Sequence, residues 1–159
     1  MEYEEHGVCV SPSIHGLGVY ATKPFAACDL IGPIAGTVID DPAYESDYCM
    51  ELGPHSALEP APPFRFVNHC CQPNCGLLEF ETDSDGPLPG AGQLWLEALC
   101  DIPAGAQLTI DYAWPAWAAI PCGCGCPECR NWIVAAEQVD CIASGKTDRD
   151  AAPAPGVAP

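Results

Sequence analysis

Three short runs concentrate the side chains able to do chemistry. Arg65-Phe66-Val67-Asn68-His69-Cys70-Cys71-Gln72-Pro73-Asn74-Cys75 packs three side-chain amides, an imidazole and three thiols around one proline. Thiolate and imidazole bind zinc, and a carboxamide both donates and accepts hydrogen bonds, which suits an aminocarboxylate ligand. Leu108-Thr109-Ile110-Asp111-Tyr112 ends an apolar stretch on a carboxylate and a phenol. A phenol can orient an amine without acting as a strong base. Cys122-Gly123-Cys124-Gly125-Cys126-Pro127-Glu128-Cys129 supplies four more thiols in eight residues. Clustered cysteines without a secretory signal point first to zinc.

Short strands and tight turns must position these groups. Val8-Cys9-Val10 is β-prone, and Gly16-Leu17-Gly18-Val19-Tyr20-Ala21 reads as a glycine turn entering a strand. A dinucleotide fingerprint would need a third glycine and a following helix, and here a strand follows. Asp29-Leu30-Ile31-Gly32 begins an extended piece continuing through Gly36-Thr37-Val38-Ile39. Tyr48-Cys49-Met50-Glu51-Leu52 predicts a short strand. Glu79-Phe80-Glu81 and Gln93-Leu94-Trp95-Leu96-Glu97 predict hairpin arms around the turn residues 84–92. Pro103-Ala104-Gly105 predicts a turn feeding a strand over 107–112. A short helix is expected from Trp132 to Val139, and a disordered tail from Ala143.

Composition narrows the class. The chain has 159 residues, room for one domain and little more. Eighteen prolines and fifteen glycines favour turns over long helices. No run approaches the ~18 apolar residues of a membrane span, and Met1-Glu2-Tyr3-Glu4-Glu5 lacks a signal peptide's basic start. A soluble intracellular protein is expected, cytoplasmic or nuclear. The net charge is −17, and between Lys23 and Lys146 only Arg65 and Arg130 are basic. Such a chain repels a phosphate backbone and attracts lysine- and arginine-rich segments; acidity for solubility alone is an equal reading. Of the twelve cysteines, Cys9, Cys28, Cys49, Cys100 and Cys141 stand singly and are expected to be buried as small apolar residues.

Together the runs resemble the SET domain of protein lysine methyltransferases followed by a zinc-binding post-SET segment, over about residues 7–132. Arg65, Phe66, Asn68, His69, Cys71, Pro73, Asn74 and Cys75 match the family's Arg-Phe-x-Asn-His-x-Cys-x-Pro-Asn-Cys; position 70, commonly serine, is Cys70. The family's Glu-Leu-Thr-x-Asp-Tyr stands here with Gln107 in place of the glutamate. Gly16-Leu17-Gly18-Val19-Tyr20-Ala21 is similar to the family's Gly-x-Gly-Val-aromatic-Ala.

The resemblance implies a mainly-β SET fold, with small curved sheets around a pseudoknot, over residues 7–117. A post-SET zinc segment over 118–133 and a short helix with a tail over 134–159 follow. It implies methyl transfer from S-adenosylmethionine to the ε-amine of lysine in a basic protein, a histone-like tail or a ribosomal protein. No direct nucleic-acid or membrane partner is expected. Cofactor contacts are implied for Gly16, Leu17, Gly18, Tyr20, Asn68, His69 (through its backbone), Tyr112 and Trp132. Tyr112 is implied as the main catalytic residue, with Tyr48 as a second wall of the lysine channel or a packed strand aromatic. Ile110, where related enzymes carry phenylalanine or tyrosine, implies that product is not limited to one methyl. Zinc would take Cys71, Cys122, Cys124 and Cys129; the competing set of Cys122, Cys124, Cys126 and Cys129 is tightly spaced for one tetrahedron. Cys70 is left to packing. Two rivals remain: a non-catalytic SET scaffold binding basic partners, and a secreted disulfide protein.

Overall fold

The computed structural model describes residues 4–41, 43–52, 56–80 and 93–145. The turn residues 84–92 and all but the start of the expected tail lie outside them. The chain forms two compact units. The first comprises Met1–Asn68 and Asn74–Thr109, the second His69–Pro73 and Ile110–Pro159.

In the first unit, alternating apolar positions build small sheets. Strands β1 (Glu4–Glu5), β2 (Val8–Ser13) and β3 (Gly16–Ala21) run antiparallel in sequence. They continue into β11 (Gln107–Ile110) and β8 (Asn68–His69), giving the order β1-β2-β3-β11-β8. Val8, Val19 and Leu108 are wholly buried on this sheet. A second sheet orders β4 (Leu30–Pro33), β10 (Gln93–Ala98) and β9 (Cys75–Phe80) as β4-β10-β9. Leu94, Leu96 and Ala98 of β10 are buried at every second residue, the period of a half-buried strand. A third sheet orders β5 (Gly36–Ile39), β7 (Ala57–Pro60) and β6 (Met50–Glu51) as β5-β7-β6. The Pro103–Gly105 turn is tied back by Gly105 N–H donating to Ala21 O at 2.7 Å. Gly105 has φ +84°, where a Cβ would be strained.

The second unit carries the two-stranded ribbon β12 (Ile120–Pro121) and β13 (Trp132–Ile133), in which Ile120 pairs with Ile133 and Pro121 with Trp132. Single 3-10 turns at Ala116–Ala118 and Ala136–Gln138 precede a five-residue helix, α1 (Val139–Ala143). Val134 and Ala135 are buried.

The hairpin of β9 and β10, the turn at Pro103–Gly105 and the strands over 8–10 and 16–21 stand as expected. Five expectations change. The extended piece from Asp29 to Ile39 is two strands in different sheets, because Ile34 N–H pairs with Leu94 O while β5 pairs with β7. Tyr48 lies in a turn, since the Ser46 hydroxyl accepts the Tyr48 N–H at 3.2 Å; only Met50 and Glu51 form strand. β11 stops at Ile110 because Asp111 caps the Ala113 N–H at 3.0 Å and Ala113 turns to φ +47°. The expected Trp132–Val139 helix is strand at its start, because Cys122 N–H pairs with Asn131 O and Ala135 N–H with Trp114 O. Helix begins only at Val139. Of the five scattered cysteines none is buried; Cys28 and Cys100 are exposed and only Cys75 is a core thiol.

Candidate functional site

In the first unit the glycine run and Asn68 meet. Gly16 and Leu17 are exposed and Gly18 is buried. Asn68 Nδ2 donates to Leu17 O at 2.9 Å and to Ser13 Oγ at 3.1 Å, so Oδ1 remains as its acceptor. A Cβ on Gly18 would stand 2.6 Å from Gln107 Nε2 and 3.2 Å from Asn68 Nδ2, so these two amides require a glycine there. Tyr20 Oη donates to Pro12 O at 3.1 Å and reaches Gln107 Oε1 at 3.5 Å. Gln107 therefore joins Gly18, Tyr20 and Asn68 as a neutral amide where a glutamate was expected.

Tyr48, 45 % exposed, sits elsewhere in this unit, with the Arg65 guanidinium 3.9 Å above its ring. Arg65 also pairs with Glu59, which accepts the Tyr44 hydroxyl at 3.1 Å. Burial pushes the Glu59 carboxyl up, but bonds from Ser46, Arg65 and Tyr44 and the Arg65 charge hold it below the ordinary carboxylate range. Asn74 clasps β11: its Nδ2 donates to Gln107 O at 2.8 Å and its Oδ1 accepts the Thr109 N–H at 2.9 Å.

In the second unit His69 is the hinge of a polar chain. The backbone N–H of Tyr112 donates to His69 Nδ1 at 3.2 Å, which puts the ring proton on Nε2. Nε2 lies 3.3 Å from Cys71 Sγ and so donates to it. Burial lowers the His69 pKa against the pull of Asp111, with Arg130 lowering it further, so the ring is the neutral tautomer this geometry needs. Arg130 grips Asp111 with both terminal nitrogens, at 2.7 and 2.6 Å. Its own N–H donates to Cys71 Sγ at 3.4 Å. The chain from Tyr112 through His69 to Cys71, and from Asp111 through Arg130 to Cys71, closes on one sulfur. The Tyr112 ring packs tilted against those of His69 and Trp114, with centroids at 5.4 and 5.6 Å. Trp132 stands in β13, half-buried.

Cys71, Cys122, Cys124 and Cys129 bring their sulfurs within 4.8 Å of one another. Zinc–sulfur bonds of about 2.3 Å in a tetrahedron set sulfurs ~3.8 Å apart; Cys71 and Cys122 are 3.8 Å apart. Backbone N–H groups of Cys124, Asn131 and Arg130 donate to Cys122, Cys129 and Cys71, each at 3.4 Å. Burial raises the Cys124 thiol, but the N–H groups of Cys71 and Cys126 and the thiols of Cys122 and Cys126 bring it down to about 5. Burial holds the Cys71 and Cys122 thiols up, so a metal would have to displace their protons, while Cys124 already favours the thiolate; with three of the four receiving N–H bonds, the set fits a zinc ion. Cys126 groups instead with Cys70 and Cys124. Cys70, left to packing by the sequence, is half-buried with its sulfur within 4.8 Å of those of Cys124 and Cys126.

The grip of Arg130 on Asp111 and the pairing of Cys70 with Cys126 escape a reading of sequence. Arg130 is visible there only as one of two basic residues in a long acidic span.

Residues 16–113 match the SET domain as a family. The chain is 28 % identical over 140 residues to the "Histone-lysine N-methyltransferase, H3 lysine-4 specific" of Kluyveromyces lactis, covering 76 % of this chain and 13 % of that protein. It is 29 % identical over 146 residues to "Histone-lysine N-methyltransferase trithorax" of Drosophila melanogaster, covering 82 % of this chain and 4 % of that one. The chain thus spans a small part of the length of these relatives. Among solved structures, KRYPTONITE in complex with mCHG DNA and SAH superposes with a TM-score of 0.68 at 23 % identity, over 78 % of this chain and 28 % of that one. KRYPTONITE with mCHH DNA, an H3(1-15) peptide and SAH gives 0.67.

Proposed function

The chain belongs to the SET domain family, and on that footing we propose that it transfers methyl groups from S-adenosylmethionine to lysine ε-amines of a basic protein. The observation that carries this reading is the polar chain fixing the Tyr112 backbone, through His69, to a sulfur of a four-thiol cluster.

Bound S-adenosylmethionine supplies an electrophilic methyl on a sulfonium. The exposed backbone of Gly16 and Leu17 and the Oδ1 of Asn68 offer acceptors for its amino and hydroxyl groups, and the absent Cβ at Gly18 keeps Gln107 and Asn68 in place. His69 contributes through its backbone, Tyr20 through its contact with Gln107, and Trp132 an apolar face for the adenine. The lysine ammonium first gives a proton to solvent, and the Tyr112 hydroxyl orients the resulting neutral amine for in-line attack on the methyl. For Tyr48 it is the family resemblance that supports a place in the lysine channel; the contact on its ring is the Arg65 guanidinium. Ile110, buried and without a hydroxyl, places no restraint on successive transfers. Zinc held by Cys71, Cys122, Cys124 and Cys129 would tie residues 118–133 to the 69–73 segment. We assign residues 7–117 to the SET domain, 118–133 to the post-SET segment and 134–159 to a helix and tail.

The net charge of −17 favours a lysine-rich partner over nucleic acid. The names of the relatives support a histone-like tail over a ribosomal protein, and hence action in the nucleus. No described helix is long and apolar enough to cross a membrane.

Labelled methyl transfer onto a panel of basic proteins tests this, with Tyr112→Phe as control. The wild type should label a histone-type tail, and the variant should be slower by roughly 10²-fold, the scale of a lost orienting or proton-transfer group. Equal labelling by both removes the role given to Tyr112; no labelling, with S-adenosylmethionine still bound in calorimetry, favours the scaffold.

A further inference from the structure

The four-thiol cluster leaves two thiols that its tetrahedron does not use. Cys70, Cys124 and Cys126 form a second group in the same unit, with all three sulfurs within 4.8 Å of one another. Cys124 belongs to both groups, and its sulfur is 3.5 Å from that of Cys126. Three sulfurs about 2.3 Å from one metal ion lie ~3.8 Å apart in a tetrahedral arrangement and ~4.0 Å in a trigonal one. The 4.8 Å limit admits both, and the 3.5 Å between Cys124 and Cys126 is a few tenths of an ångström shorter than either.

A second observation separates Cys70 from an ordinary packed cysteine. Gln72 N–H donates to Cys70 Sγ at 3.4 Å, two residues on. The same two-residue turn caps Cys122, from Cys124 N–H, and Cys129, from Asn131 N–H, both at 3.4 Å. Cys70 thus receives the same backbone bond as two members of the quartet. Such N–H···S bonds orient thiolate ligands and offset their charge. Among the described residues neither Cys70 nor Cys126 is in a disulfide, and both are half-buried.

We propose that Cys70, Cys124 and Cys126 hold a second soft d10 cation, Zn2+ or Cu+, joined to the ion of the quartet through the shared thiolate of Cys124. Thiolate sulfur selects these two ions over harder ones. A thiolate keeps lone pairs after its first metal bond, so one sulfur can serve both. Binding replaces the S–H bonds of Cys70 and Cys126 with metal–sulfur bonds, and the two protons go to solvent. Zinc would keep its fourth position open to water; a cuprous ion is satisfied by three sulfurs. The inference stands apart from methyl transfer, and the test reads metal only.

The full chain is kept reduced and anaerobic, stripped of metal, and titrated with Zn2+, or with one equivalent of Zn2+ followed by Cu+. Native mass spectrometry counts the ions. Two zinc ions per chain, or one zinc plus one Cu+, support the site and identify its ion. Cys70→Ser and Cys126→Ser should each bind one ion fewer than the wild type while keeping the ion of the quartet. In the zinc case, substitution with cadmium-113 should give two thiolate-range resonances in the wild type and one in each variant. A wild type saturating at one ion in both titrations, or both variants binding as many ions as the wild type, overturns the proposal.

Discussion

Replacing Arg130 with methionine keeps the stem of the side chain and removes the guanidinium that holds Asp111. That guanidinium makes two charge-assisted bonds, at 2.7 and 2.6 Å, and the Arg130 and Asp111 side chains are 15 % and 26 % exposed. Exposed ion pairs contribute about 0.2–1 kcal/mol, whereas breaking a buried pair costs about 3–5 kcal/mol. A bidentate pair of intermediate exposure belongs between them, at about 2 kcal/mol. Arg130 Nε is buried without a hydrogen-bond partner among the described residues, so deleting it returns about 1 kcal/mol of desolvation. The single variant thus understates the pair, and a double-mutant cycle with Asp111→Asn isolates it. Urea unfolding at one fixed, excess concentration of free zinc is the assay, so that the metal's contribution is common to all members of the cycle. With an m value of about 2 kcal/mol/M, Arg130→Met should lower the midpoint by roughly 0.5 M. The cycle should give a coupling of about 2 kcal/mol, and one below ~0.5 kcal/mol, typical of residues that do not interact, refutes the assignment.

Other perturbations reach the remaining contacts. Cys71→Ser should release the zinc of the quartet, read by atomic absorption after dialysis; zinc retained at the wild-type level would remove Cys71 from the ligand set. Gly18→Ala puts a Cβ 2.6 Å from Gln107 Nε2, the end of a flexible side chain, so the fold should survive while S-adenosylmethionine binds about tenfold more weakly in calorimetry. Undiminished affinity would argue against the Gly18 backbone as part of that site. Glu59 has a folded pKa below its ordinary 4.5, so its contribution to stability is full above that pH and is lost as pH falls through the lowered value. Glu59→Gln should flatten the fall in thermal midpoint below pH 4.5, and an unchanged acid limb would contradict this. Wild-type protein given excess S-adenosylmethionine for long times should yield di- or trimethylated lysine by mass spectrometry; monomethyl product alone would contradict the reading of Ile110.

Sequence was most informative where a local rule decides the outcome. Period-two burial over residues 94–98, the Pro103–Gly105 turn and the glycine-marked entry into β3 follow from steric and solvation preferences of neighbouring residues. It was least informative where distant backbone competes. Trp132 and Ile133 looked helical until Pro121 and Ile120 offered strand partners. Tyr48 looked like strand until Ser46 turned the chain.

The division of the candidate site follows the same line. Residue types and spacing by themselves pointed to the mainly-β class and to two thiol runs able to hold a metal, while the family resemblance, not spacing, implied Cys71 and not Cys126 as the fourth sulfur. Tertiary structure alone decided what holds those groups. A salt bridge across 19 positions between Asp111 and Arg130, an Nε2–H given to Cys71, and a Cys70 drawn to Cys126 depend on distances in space, which chain spacing does not encode.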